Sequence, residues 1–176
     1  MGGLEEGVSG RQTETKAIVA CAVERKASGL GRVRMQVVPD VSRTSPEGFL
    51  VAQVRLASPA LTDGWKAYSR LTKAGFAHVR HVTSTSGRTA SERLPGVHRV
   101  FALLKCRLLG THQGAVSLKH LQSYLEEFTF RFNRRTAKSL THAFQRLAEG
   151  IVRGQAKPYW RTIGRLSPKI PLAEAA

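Results

Sequence analysis

Asp63 is the acidic residue of this 176-residue sequence best placed to do chemistry. It follows a short extended approach through Pro59 to Leu61 and precedes Gly64 and a helical start marked by Trp65, Tyr68 and Leu71. A strand end before a turn can present a carboxylate to solvent, and carboxylate oxygens are hard donors suited to magnesium or manganese. The same residues read equally well as an ordinary Asp-Gly turn. A second set of side chains is cationic. Arg99, Lys105, Arg107, Lys119, His120, Arg131, Arg134 and Arg135 gather within one stretch, and only Glu126 and Glu127 interrupt them. A solvated helix face usually mixes signs, because like charges one turn apart repel. A one-signed face wants an anion. Arg99, Lys105, Arg107, Lys119, Arg131, Arg134 and Arg135 are therefore candidate phosphate contacts, which hold a nucleic acid in place without reading its sequence.

Two helices must position that face. From Val97, apolar residues recur at Val100, Phe101, Leu104 and Leu108, with Pro95 and Gly96 as a start signal. These steps of three and four define one buried stripe. Gly110 to Gly114 break the pattern, and Ser117 offers an N-cap to a second helix carrying Leu118, Leu121, Leu125, Phe128 and Phe132. Glu127 is spaced to pair with Arg131, Asn133 reads as a capping helix end, and Phe130 could stack on a base.

Upstream, KAIVACAVE at Lys16 to Glu24 suits a central strand buried on both faces, and Val33 to Val38 alternates as a half-exposed partner in a hairpin. The sequence then predicts a helix over Pro46 to Arg55, a helix closing at Gly75, and a strand over Ala77 to Val82 with a wet, basic side. Met1 to Thr15 and Ser84 to Arg93 read as loops. Leu140, Phe144, Leu147 and Ile151 follow helical steps, and the prolines at 158, 168 and 171 mark a basic tail expected to be disordered.

Composition narrows the partner. With 28 Lys and Arg against 12 Asp and Glu, the formal charge is +16, and the isoelectric point is near 11.1. That excess exceeds what solubility requires and points to nucleic acid. The longest apolar run, Ala17 to Val23, is far too short for a bilayer, and MGGLEEGVSG lacks the features of a signal peptide. A cytoplasmic protein without a membrane partner is expected. Cys21 and Cys106 lie in different elements and suggest reduced thiols rather than a metal site.

Several blocks closely resemble bacterial insertion-sequence transposases of the ISXO-like group, in the DDE class. They are GRQTETKAIVACAVE, VVPD at Val37 to Asp40, TDGWKAYSRL at Thr62 to Leu71, LPGVHRVFALLK, LLGTHQGAVS and KHLQSYLEEFTFRFNRR. In one order and with similar spacing, they span about Gly7 to Leu147. The resemblance implies an α/β, ribonuclease-H-like mixed sheet flanked by helices, and metal-dependent cleavage and strand transfer of DNA. It implies that Asp63 is a catalytic metal ligand, and it places His98 where many relatives carry Glu or Asn. A neutral imidazole can bind a metal, although a helix-start histidine bonded to a loop reads as well.

The reaction needs two divalent ions held by carboxylates from separate elements, Mg2+ or Mn2+ here. The family's first acidic residue lies on a strand upstream of the glycine-rich loop that here begins at Met1, and Glu5, Glu6 and Asp40 do not match it. The expectation is a partial catalytic domain over residues 1–153 with its first strand missing, followed by the tail at 154–176. It would be a truncated, inactive remnant that binds DNA and could associate with a second copy or an intact transposase. The alternative is a basic nucleic-acid-binding protein without enzymatic activity.

Overall fold

The computed structural model describes residues 17–40, 42, 44–63, 65–81, 94–113, 116–137 and 139–154. The expected loops at Met1 to Thr15 and Ser84 to Arg93, the turn residue Gly64 and the tail beyond Gly154 lie outside these residues. The chain divides into two compact units, 1–135 and 136–176.

The first unit begins with strands β1 (Ile18–Lys26) and β2 (Gly29–Val38), paired antiparallel. The hairpin turns more tightly than the glycines at 29 and 31 suggested. Gly29 carries φ +120°, which an L side chain resists, so β2 starts at the turn itself. Val19, Cys21 and Val23 stand opposite Val37, Met35 and Val33. This face meets helices α2 (Pro95–His112) and α3 (Leu118–Asn133), α2 packing on β1 and α3 on β2. Val33, Met35, Val100, Leu104, Leu108, Leu121, Leu125, Phe128 and Phe132 form the core. Of the predicted stripes, Val100, Leu104, Leu108, Leu121, Leu125, Phe128 and Phe132 are buried, Val97 and Phe101 are half-buried, and Leu118 is 60% exposed at the first position of its helix.

Several expectations need correction. β1 is not buried on both faces: Ile18 to Val23 are all half-buried, and among the described residues the strand pairs with β2 alone. Gly110 does not stop α2, which runs to His112 and ends where Gln113 turns left-handed at φ +48° and donates its N–H to the Leu108 carbonyl. Ser117 occupies the N-cap of α3 without a side-chain bond; its carbonyl accepts the His120 N–H at 3.0 Å.

The outer edge of β2 is closed by side chains of α3. Asn133 Oδ1 accepts the Val33 N–H at 2.6 Å, and Asn133 Nδ2 donates to the Val33 carbonyl at 2.9 Å. Further along the strand, Gln122 Oε1 accepts the Val37 N–H at 2.9 Å. Unpaired strand edges invite foreign strands, and here a helix supplies the missing partners. Asn133 is thus a bridge between helix and strand rather than a helix cap.

Helix α1 (Thr44–Gln53) follows the hairpin and packs against it. It leads to a parallel pair, β3 (Pro59–Asp63) and β4 (Ala77–His81). The connection contains a five-residue 3-10 turn, Lys66–Arg70, instead of the full helix expected to Gly75. Phe49, Ala67, Leu71 and Phe76 are buried around it, outside the main cluster. The pairing is started by backbone bonds from Ala57 N–H to the Gly75 carbonyl (2.8 Å) and from Ala77 N–H to the Ser58 carbonyl (3.3 Å). Gly75 takes φ +91° and even Ala57 is left-handed at φ +61°.

These elements make a mixed α/β unit with two sheets of two strands, β1–β2 and β3–β4. The second unit contains α4 (Leu140–Arg153), which starts with a Ser139 side-chain cap on the His142 N–H. None of the described helices is long and apolar enough to cross a membrane.

Candidate functional site

Asp63 is the last residue of β3, where a parallel strand opens toward solvent, and its side chain is half-buried. One carboxylate oxygen accepts the Trp65 N–H at 3.4 Å, a long bond that nonetheless turns the group back over its own chain. The Asp-Gly turn and the ligand readings are thus compatible: the turn fixes the carboxylate that a ligand role would use. Behind it, Thr62 is 8% exposed, and its hydroxyl lies 2.8 Å from His78 Nε2 and 3.0 Å from the Asp63 carbonyl. Desolvation holds the His78 pKa below its ordinary value, and the Arg80 charge lowers it further.

The register of the parallel pair places Asp63 opposite His81 and Leu61 opposite Val79. Residues opposed in this way share a face. Leu61 is 37% exposed and Val79 50%, so this face is open, with Asp63 and His81 at its carboxyl end. Sequence reasoning missed His81. It read the strand as merely basic, and only the pairing of β3 with β4 shows what His81 stands beside.

His98 lies in the first turn of α2 and is exposed. The main strand partner of that helix is β1. Among the described residues, no group of three or more His, Cys, Asp or Glu side chains is placed to hold a metal ion. Asp63 and His98 are therefore not brought together with a further ligand, and the described donors do not fit a two-ion centre.

The cationic candidates fall into two groups. Arg99, Lys105 and Lys119 are exposed on α2 and α3 and form no ion pair among the described residues. The others are engaged within the fold. Glu127 Oε1 accepts from Arg107 at 2.9 Å and from Arg131 at 3.0 Å, which realises the expected spacing to Arg131 and ties α2 to α3 as well. Arg107 is further constrained because its Nε is buried. Arg134 lies 3.6 Å from the centre of the Phe130 ring, and Arg135 lies 3.9 Å from that of Phe132. The Arg135 guanidinium also donates to the carbonyls of Phe132 (2.8 Å), Gly31 (3.3 Å) and Leu30. Phe130 is consequently a covered, half-buried ring rather than an open stacking platform. Sequence spacing identified the charges; it could not tell which were already committed to carbonyls and rings.

Residues 3–133, about three quarters of the chain, match the ISXO2-like transposase domain. The chain belongs to that family of insertion-sequence transposase domains. No curated protein and no solved structure matches it.

Proposed function

We propose that this chain is a transposase domain that engages the DNA of an insertion sequence through α2 and α3, with Asp63 as the carboxylate facing the reaction centre. The observation that carries the reading is family membership across the segment that includes both features. The position of Asp63 supports it, because ligands of α/β sheets gather beyond the carboxyl ends of parallel strands. In this reading the two small sheets belong to a ribonuclease-H-like arrangement, and the protein works on DNA in the cytoplasm, alone or beside another transposase copy.

DNA would lie against Arg99, Lys105 and Lys119 first, since their charges are not offset by a neighbouring carboxylate. The family's chemistry relies on divalent cations, Mg2+ or Mn2+, which polarise the phosphodiester and activate the attacking oxygen. The described residues contribute one carboxylate at the strand ends, so cleavage by this chain alone is expected to fall orders of magnitude below that of a complete two-ion centre. The shortage of clustered ligands favours one second reading, a nucleic-acid-binding protein without catalysis.

Fluorescence anisotropy with a labelled duplex across a potassium chloride series tests the binding. Each neutralised phosphate contributes roughly 0.9 to the slope of log K against log salt, so replacing Arg99, Lys105 and Lys119 by Gln should reduce that slope by about 2 to 3. Salt-independent binding, or an unchanged slope in the triple variant, would overturn the proposed interface. Nicking of a supercoiled plasmid, measured with wild type and Asp63→Asn, separates the readings. Weak nicking that depends on Asp63 supports the transposase centre, and none supports the non-catalytic protein.

A further inference from the structure

We infer that the one rung of the β2 edge left open by α3, at Met35, is a docking site for a single unpaired nucleobase. In an antiparallel strand the N–H and C=O of one residue point to the same side, and alternate residues share that side. Val33 and Val37 send their N–H groups outward to Asn133 and Gln122, so Met35, midway between them, faces outward as well. Its N–H and carbonyl have no partner among the described residues, although Met35 itself is buried. Buried backbone groups are almost always paired, so an open donor and acceptor side by side mark a place for a ligand.

The shape of that ligand is shown two residues away. At Val33 the same two backbone groups are met by the Asn133 carboxamide, which accepts at 2.6 Å and donates at 2.9 Å. The complement is a planar group with adjacent donor and acceptor. Adenine carries such an edge in N6–H beside N7, and unpaired bases expose others. Met35 opens on a cleft of about 470 Å³ between the end of α1 and the start of α3, lined also by Gln36, Val37, Gln53 and Gln122. None of these side chains is charged, which suits a neutral base better than a phosphate. The exposed amides of Gln36 and Gln53 form no hydrogen bond among the described residues and can meet a second edge of the base. Lys119, exposed one turn before Gln122, stands where the phosphate attached to that base can be held. A foreign strand is not the occupant, because it needs consecutive rungs and Asn133 and Gln122 have taken those on either side. The inference rests on the proposed DNA binding for the source of the base, not for the cleft.

Met1 and Met35 are the two methionines of the chain, and a terminal amine gives no amide signal, so [15N]methionine labelling reports Met35 alone by nuclear magnetic resonance. Adenosine and a single-stranded oligonucleotide should each shift that resonance saturably. N6,N6-dimethyladenosine, which lacks the donor, should bind about tenfold more weakly. Gln36→Ala and Gln53→Ala should each weaken adenosine binding about two- to tenfold, with circular dichroism as the check on folding. The wild-type titration needs no variant. A Met35 resonance unmoved by adenosine, as a cleft holding only water would give, would overturn the inference. So would an equal response to N6,N6-dimethyladenosine, unchanged affinity in both glutamine variants, or a stronger response to N-acetylasparagine amide, which would assign the cleft to a protein side chain. Binding of a blunt duplex is scored separately. Its absence removes the proposed DNA interface and leaves an adenosine response standing, and its presence does not rescue an unmoved Met35.

Discussion

Replacing Asn133 by Ala should be the most damaging single polar substitution in the first unit. Its amide makes two bonds to one residue of β2, accepting from the Val33 N–H and donating to the Val33 carbonyl. Val33 is fully buried, so water cannot take over either role without opening the core. A net hydrogen bond contributes about 1 kcal/mol, and leaving a buried group unsatisfied costs about 1–3 kcal/mol. For two bonds on a closed site, the expected loss is about 2–4 kcal/mol. Small domains lose stability at about 1–3 kcal/mol per molar urea, so the unfolding midpoint should fall by about 1–2 M. Gln122→Ala removes one bond to the same strand edge, at its more open end, together with an exposed bond from Gln122 Nε2 to Glu126, and provides an internal scale, with a loss of about 1 kcal/mol. Asn133→Asp separates the two halves of the interaction. Its carboxylate still accepts from Val33 N–H but confronts the Val33 carbonyl without a proton. Lowering the pH restores that proton, so the Asp variant should regain stability relative to the Ala variant as its carboxyl protonates. Equilibrium urea unfolding followed by tryptophan fluorescence and circular dichroism measures all three. A loss below about 0.5 kcal/mol in Asn133→Ala would refute the claim that α3 closes the strand edge.

Two further outcomes follow from titratable groups. Burial pushes the Cys21 thiol up to about 12, so at pH 8 a thiol reagent should label exposed Cys106 and leave Cys21 unmodified until the protein unfolds; equal labelling rates in the native protein would contradict its placement. His78, whose pKa is held below its ordinary 6.5, binds a proton more weakly folded than unfolded. Its contribution is therefore intact above pH 6.5 and declines as the pH falls through that value toward the lowered one. The imidazole resonances of His78 should titrate below 6.5 by nuclear magnetic resonance, and Thr62→Val should change that titration by removing the hydroxyl beside Nε2.

Much of the first unit was legible because its signals are local. Val100, Leu104 and Leu108, and Leu121, Leu125, Phe128 and Phe132, repeat at helical spacing, and all are buried where that spacing put them. The hairpin was legible from the alternation at Val33, Met35 and Val37. Partnership across distance was not. Asn133 and Val33 are separated by 100 positions, and a polar residue at a helix end gives no hint that it will satisfy a strand. His81 is next to Asp63 only because β3 and β4 run parallel and in one register, which a run of five residues cannot announce. The helix expected after Asp63 failed for a related reason. Trp65, Tyr68 and Leu71 have helical spacing, but the chain must return to pair Ala77 with Pro59, and a single 3-10 turn allows this. The cationic face was correctly counted but not correctly apportioned, because a guanidinium lying on Phe130 and a free one look identical in sequence.

Glu127 holds Arg107 and Arg131 as a resident anion would. Any incoming phosphate that approaches these two guanidiniums meets an occupied socket and can gain only the difference between its own attraction and that of the carboxylate already there. The same carboxylate joins neighbouring helices, so displacing it would loosen the joint just as the visitor arrives. If DNA binds here as proposed, a single acidic side chain would couple the grip of this surface to the rigidity of the helix pair beneath it.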